Sequence, residues 1–273
     1  MSLNYCMASY YAVANIPFSF EAVQDREGRW ELFEDAARYK DGESIHVKML
    51  VPTRCWGYRN LSVATITNRY VRILWQDNDM MLCDENYKRN QIFPVQEQHS
   101  ITGFLLQLFY THAVRRQMIQ LHCATIDDGG RGILFLGPSG IGKTTQAERW
   151  AQYRGSAIIN GDIGFVQRTP AGYTAWGTPW HGSSPYCLNA SVPVKALVVL
   201  KQAPQNALRE LTGFEKVREV SGSVFYPTWL EDGMELCTDT LNHLLSDLPV
   251  YRLDNRADEE AVRLLAAEID RIS

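Results

Sequence analysis

Residues 137–144 read Gly-Pro-Ser-Gly-Ile-Gly-Lys-Thr, and no other stretch limits the folds open to this chain so strongly. Three glycines among six residues let the backbone turn through left-handed conformations closed to most side chains. ILFL at 133–136 leads into the loop as a buried-type strand, and TTQAERWAQY at 144–153 leaves it with the character of a helix stopped by Gly155. A strand, a tight glycine loop and a helix in direct succession belong to an α/β architecture. The octapeptide meets all fixed positions of G-x-x-x-x-G-K-[ST], which average residue frequencies would produce by accident in roughly one chain of this length in a hundred.

A loop of this kind turns its N–H groups inward at the positive end of the following helix, which is how a backbone cradles phosphate. Gly137, Ser139, Gly140, Ile141, Gly142, Lys143, Thr144 and Thr145 are therefore expected to bind a nucleoside triphosphate, taken here as ATP. Lys143 would set a point charge on the β- and γ-phosphates, and the Thr144 hydroxyl would ligate the bridging Mg²⁺. Asn160-Gly161-Asp162 closes the buried-type strand AIIN (157–160), and a carboxylate there is placed to be a second Mg²⁺ ligand. The motif names a ligand and leaves the reaction open.

The remaining chain divides into a β-rich front, residues 1–97, and an α/β part, residues 98–273. Ser44–Pro52, Leu61–Thr67 and Tyr70–Gln76 are rich in β-branched and aromatic residues, and Asp77-Asn78-Asp79 reads as a hairpin loop leading to MMLC. From Gln98, apolar residues at Ile101, Phe104, Leu105, Leu108 and Phe109 predict an amphipathic helix running to about Met118. Strands Leu121–Ile126 and Gly132–Leu136 flank the turn Asp127-Asp128-Gly129-Gly130. A helix over 142–153, strands at Ala157–Asn160, Val194–Leu200 and Val250–Leu253, and helices at Glu235–Leu245 and Asp258–Ile272 complete the pattern. Trp176-Gly177-Thr178-Pro179-Trp180-His181-Gly182-Ser183 suits neither strand nor helix and reads as a loop covering a site or gripping an acceptor, with His181 as a candidate proton carrier.

Composition excludes several classes. With 27 basic and 31 acidic residues the net charge is −4, so no global attraction to nucleic acid or to an anionic membrane is expected. The six cysteines, Cys6, Cys55, Cys83, Cys123, Cys187 and Cys237, stand singly without C-x-x-C pairs, as buried free thiols would. The first residues carry no basic n-region, and no run reaches the roughly 18 apolar residues of a spanning helix, so a cytoplasmic location is expected.

The stretch LHCATIDDGGRGILFLGPSGIGKTT, followed by AIINGDIGFV, resembles the catalytic domain of the HPr kinase/phosphorylase family, itself similar to the phosphoenolpyruvate carboxykinase core. GTPWHGSSPYCLNASVPVKALVVL resembles HPr-kinase-like proteins of uncertain substrate. The resemblance extends over about residues 98–273 and implies a P-loop phosphotransferase domain with a smaller β-rich domain before it. It also implies that His122 and Asp162 line a phosphoryl-transfer site, and homo-oligomers are common among such kinases. Where the family carries two adjacent acids, this chain has Gly161 and Asp162, and the family's Glu-bearing segment has no counterpart around Cys187–Pro193.

These readings lead to an ATP- and Mg²⁺-dependent kinase that phosphorylates a hydroxyl on a peptide or protein serine, or on a small metabolite, with HPr itself not expected as acceptor. Lys143, Asp162, His122 and His181 are the candidate catalytic residues. A metal-bound carboxylate is a poor base, so with one acid either the proton passes to His122 or His181, which is the favoured expectation, or the loose transition state needs little base help because the hydroxyl proton leaves late. The alternative is a nucleotide-binding regulatory or assembly module with no acceptor. A carboxykinase is disfavoured, since no second His/Lys/Asp metal cluster is visible.

Overall fold

The structure is a computed structural model describing residues 8–23, 28–49, 71–76, 79–93 and 98–272. The expected strand Leu61–Thr67, the loop residues Asp77 and Asn78, and Cys6 and Cys55 lie outside the described residues. The chain forms two compact units, residues 1–111 and 112–273. The division falls inside helix α1 (Gln98–Val114).

Unit 1 holds a mixed sheet built from β1 (Ser9–Val13), β2 (Ile16–Glu21), β3 (Ile45–Met49), β4 (Arg72–Gln76), β5 (Asp79–Cys83) and β6 (Arg89–Phe93), in the order β1-β2-β3-β6-β5-β4. Ala14 and Asn15 both take positive φ (47° and 62°), the geometry that closes a two-residue hairpin. Tyr11, Phe18, Phe20 and Trp30 are buried and pack ring against ring, with centroids 4.8–5.8 Å apart where Trp30 meets the other three.

In unit 2, α1 gives way to β7 (Met118–Asp127) and β8 (Gly132–Leu136), then α2 (Lys143–Arg154), β9 (Ala157–Asn160), β10 (Ile163–Thr169), β11 (Gly172–Trp176) and β12 (Ser191–Gln202). β13 (Ala207–Leu211), α3 (Phe214–Val220), β14 (Val224–Phe225), α4 (Gly233–Asp247), β15 (Val250–Asn255) and α5 (Glu259–Arg271) follow. The helix α1 stops four residues short of the expected Met118. Gln117 takes φ 55° and the amides of Arg116 and Gln117 close a turn on Ala113 and Val114, which frees Met118 to open β7. Trp176 is likewise a strand residue, paired with Phe165 on β10 and Ser191 on β12, so the irregular segment begins only at Gly177.

The sheet runs β11-β10-β7-β8-β12-β15-β13, with β8, β12 and β15 parallel and β7 antiparallel to β8. β11 also pairs the first residues of β12, and a register shift between Val194 and Ala196 lets that long strand turn from β11 to β8. Ile133 and Phe135 of β8, Ala196, Val198 and Leu200 of β12, and Tyr251 and Leu253 of β15 pack with Ala147 and Trp150 of α2 and Leu265 and Ile269 of α5. Leu134, Leu136, Leu197 and Val199, on the alternate positions, are equally buried, so these central strands are covered on both faces, as their unbroken apolar sequences require. Each such large apolar side chain contributes about 1.5–3 kcal/mol.

Among the described residues no helix is long and apolar enough to cross a membrane, and Cys83, Cys123, Cys187 and Cys237 are buried and unbridged.

Candidate functional site

The glycine-rich loop leaves β8 at Gly137 and enters α2 at Gly142, with φ of 143° at Gly137, 77° at Gly140 and 107° at Gly142. Gly142 is the left-handed N-cap of α2, and Gly155 (φ 72°) caps its other end by donating to the Ala151 carbonyl. The buried stripe of the helix, Lys143, Gln146, Ala147 and Trp150, follows the i, i+3, i+4, i+7 spacing of an inward face. Its first member is a lysine, so an ammonium is drawn under the loop rather than into solvent.

Lys143 is 6% exposed. Its Nζ donates to the carbonyls of Gly137 (3.1 Å) and Pro138 (3.3 Å) and lies 2.9 Å from His122 Nε2. Burial holds its pKa below the ordinary lysine value, against the opposing pull of Asp162 and Cys123. The same His122 Nε2 is 3.0 Å from Asp162 Oδ1. The sheet register explains the meeting: His122 on β7 lies opposite Ile163 on β10, and the Cys123 amide donates to the Asp162 carbonyl (3.0 Å). Residues 40 and 21 positions from His122 in sequence thus converge on one imidazole nitrogen. That nitrogen either accepts from Lys143 or donates to Asp162, but cannot do both in one protonation state.

Thr144 donates its hydroxyl to the Gly161 carbonyl (3.1 Å), which brings its Oγ beside the residue preceding Asp162. Hydroxyl and carboxylate are hard oxygen donors suited to Mg²⁺. The described residues contain no group of three or more His, Cys, Asp or Glu able to hold a metal ion. Mg²⁺ commonly takes one or two protein oxygens and completes its shell with substrate phosphates and water, so this donor set fits the ion together with a triphosphate. Ser139, Gly140 and Thr145 are exposed, while Gly137 is buried and Ile141 half-buried.

Three residues missed from sequence shape this site. Asn160 is fully buried. Its Oδ1 accepts from the amides of Asp162 and Ile163 (3.0 Å each), and its Nδ2 donates to the Trp180 carbonyl (2.8 Å). One amide thereby ties the Asp162 turn to the tryptophan-containing segment; the Asn-Gly pair at 160–161 is the sequence signal for such a turn. Gly182 (φ 56°) lies against the Asp162 carboxylate, where a Cβ would fall 2.1 Å from Oδ2. Phe225, 45% exposed, holds its ring 6.2 Å from the His122 ring because β14 pairs with β7 through Val224–Leu121 and Phe225–Gln120. Nothing local in the sequence marks it.

His181 turns Nδ1 toward the Ser184 carbonyl within its own loop, so of the two candidate histidines it is His122 that touches both Lys143 and Asp162. Trp180 is 2% exposed: it anchors the segment in the interior instead of presenting a ring to an acceptor. Cys123, adjacent to the site, is fully buried, and burial pushes its thiol up to about 12, against the hydrogen bond with Thr125. It is an inert packing residue at neutral pH.

A family described as SynChlorMet cassette protein ScmC matches the sequence over residues 81–244. No curated protein matches. Among solved structures, the Hpr(Ser) kinase/phosphatase from Coxiella burnetii is 11% identical, with 56% of this chain and 93% of that chain covered and a TM-score of 0.33. The family that matches carries a different name from the one the motifs resemble.

Proposed function

We propose, for a chain that belongs to the SynChlorMet cassette protein ScmC family, that unit 2 is a P-loop phosphotransferase: it moves the γ-phosphoryl group of ATP to a hydroxyl on a peptide, a protein or a small molecule. The family description names a cassette and no reaction, so the reading rests on the site. Its main support is the convergence of Lys143, His122 and Asp162 through contacts of 2.9 and 3.0 Å at the mouth of the glycine-rich loop.

The loop amides and the start of α2 would hold the phosphates. Lys143 would leave the Gly137 and Pro138 carbonyls for the β- and γ-oxygens, whose charge suits a buried ammonium better than two neutral carbonyls do. That movement frees His122 Nε2. The acceptor oxygen attacks the γ-phosphorus, the bond to the β–γ bridging oxygen breaks, ADP leaves, and the hydroxyl proton passes to His122. Mg²⁺, held by Thr144 and Asp162, would neutralise charge on the phosphate oxygens when bound. Asp162 would orient the imidazole, and positioning carries much of the rate because the transition state is loose.

The test is incubation of the full chain with γ-labelled ATP, Mg²⁺ and fractionated cell extract, followed by mass spectrometry of labelled products. The kinase reading expects ADP to form together with a phosphorylated hydroxyl, and neither with Lys143→Ala. ATP that binds and is never turned over with any fraction would instead make the chain a nucleotide-responsive regulatory or assembly module.

A further inference from the structure

The turn at residues 181–184 closes with the Ser184 amide donating to the His181 carbonyl (3.1 Å), and Gly182 and Ser183 are its two central residues. Its tip leans on the Asp162 carboxylate: a Cβ on Gly182 would fall 2.1 Å from Oδ2. Consecutive Cα atoms are about 3.8 Å apart, so the Ser183 backbone stands within roughly 8 Å of that oxygen. Asp162 in turn lies 3.0 Å from His122 Nε2, which meets Lys143 at 2.9 Å. A serine of the chain itself is thus held at the rim of the site where a γ-phosphoryl group and its acceptor would meet.

The other hydroxyls of residues 177–186 are buried or engaged. Thr178 is fully buried and donates to the Trp180 carbonyl (3.2 Å). Ser184 is 7% exposed and its Oγ accepts from the Tyr186 amide (3.3 Å), while Tyr186 Oη donates to Glu148 Oε1 (3.0 Å). Ser183 is exposed, and its hydroxyl has no hydrogen-bond partner among the described residues. Resting on the phosphotransferase reading of the site, we infer that Ser183 is an acceptor within the same molecule and that the protein phosphorylates itself there. The Ser183 Oγ attacks the γ-phosphorus, the bond to the β–γ bridging oxygen breaks, ADP leaves, and the hydroxyl proton passes to His122. Tethering turns a bimolecular encounter into an intramolecular step, so no second substrate has to be captured.

The experiment treats the full chain with a phosphatase, removes the phosphatase, and adds γ-labelled ATP and Mg²⁺ with no other acceptor. Intact mass and peptide mapping then follow the label. A single phosphoryl group should appear on Ser183, with a half-time unchanged over a roughly hundredfold range of protein concentration, as an intramolecular step requires. Ser183→Thr should keep the labelling, whereas Ser183→Ala and Lys143→Ala should each lose it by roughly a hundredfold or more. Calorimetry should show Mg-ATP affinity unchanged in Ser183→Ala. Label on another residue, a half-time that shortens as protein concentration rises, lost ATP affinity in Ser183→Ala, or an unlabelled chain that phosphorylates a component of cell extract would overturn the inference and leave the phosphotransferase reading standing. Label that survives Lys143→Ala would reveal another kinase at work and overturn the inference too. A chain that labels neither itself nor any extract component would overturn both readings.

Discussion

Gly182 lies so close to Asp162 that a Cβ on the glycine would fall 2.1 Å from the carboxylate Oδ2. With φ at 56°, the position also disfavours any residue with a side chain, by about 1 kcal/mol. Gly182→Ala must therefore push the carboxylate off its line with His122 or shift the 181–184 loop. Turnover should fall by roughly tenfold or more, because small misplacements of a catalytic group are costly, while the melting temperature moves only a few degrees. Unchanged turnover would show that the 181–184 loop gives way and the carboxylate keeps its line with His122.

The two histidines are separable by kinetics. Since it is His122 that contacts Asp162 and Lys143, His122→Ala should lower kcat by roughly a hundredfold or more and abolish the acidic limb of the pH–rate profile. His181→Ala should keep that limb. If both variants keep it and lose less than about tenfold, positioning carries the catalysis without a base.

Lys143 sets function against stability. Burial depresses its pKa, so between the folded value and the unfolded value near 10.5 the unfolded chain binds more protons, and this group makes stability rise with pH across that window. Lys143→Met should remove that slope and raise the melting temperature of the nucleotide-free protein, since no ammonium then has to be desolvated. The same variant should lose phosphoryl transfer by roughly a hundred- to a thousandfold. A melting temperature below wild type would show that the carbonyl and imidazole contacts outweigh the desolvation.

Asp128 makes the opposite pH signature. It is 4% exposed in the β7–β8 turn and receives hydrogen bonds from Arg154 (2.8 Å), Arg131 (2.5 Å) and Ser156 (2.8 Å). Burial works against its charge, but those donors prevail and its pKa is lowered. The stabilisation is complete above the unfolded carboxylate value and is lost as pH falls through the folded one. Asp128→Asn should cost about 2–4 kcal/mol at pH 7 and flatten the acid side of the stability curve. An acid limb identical to wild type in denaturant titrations would reject this.

Asn160→Ala should uncouple two segments at once, because one amide serves both the Asp162 turn and the Trp180 carbonyl. A loss of about 1–3 kcal/mol with a larger proportional loss of turnover is expected. Proteolysis near 177–184, measured beside the wild type, reports whether the segment has been released.

The sequence by itself determined the strand, glycine loop and helix around residues 132–154, because those signals are local: apolar strand residues, glycines that tolerate positive φ, and a helical stripe ending at Gly155. It likewise marked the β7–β8 turn, the buried centre of β12 and the last two helices. It misplaced the end of α1, where a turn at Gln117 hands Met118 to a pairing with Gln167 on β10, and it left Trp176 in a loop although that residue pairs with Phe165 and Ser191, partners set by the tertiary fold. Tertiary structure alone decided that one nitrogen of His122 meets both Lys143 and Asp162, that Gly182 crowds the carboxylate, and that Phe225 stands beside the imidazole. Sheet register and strand order create those contacts, and a side chain's periodicity carries no information about which strand will lie next to it.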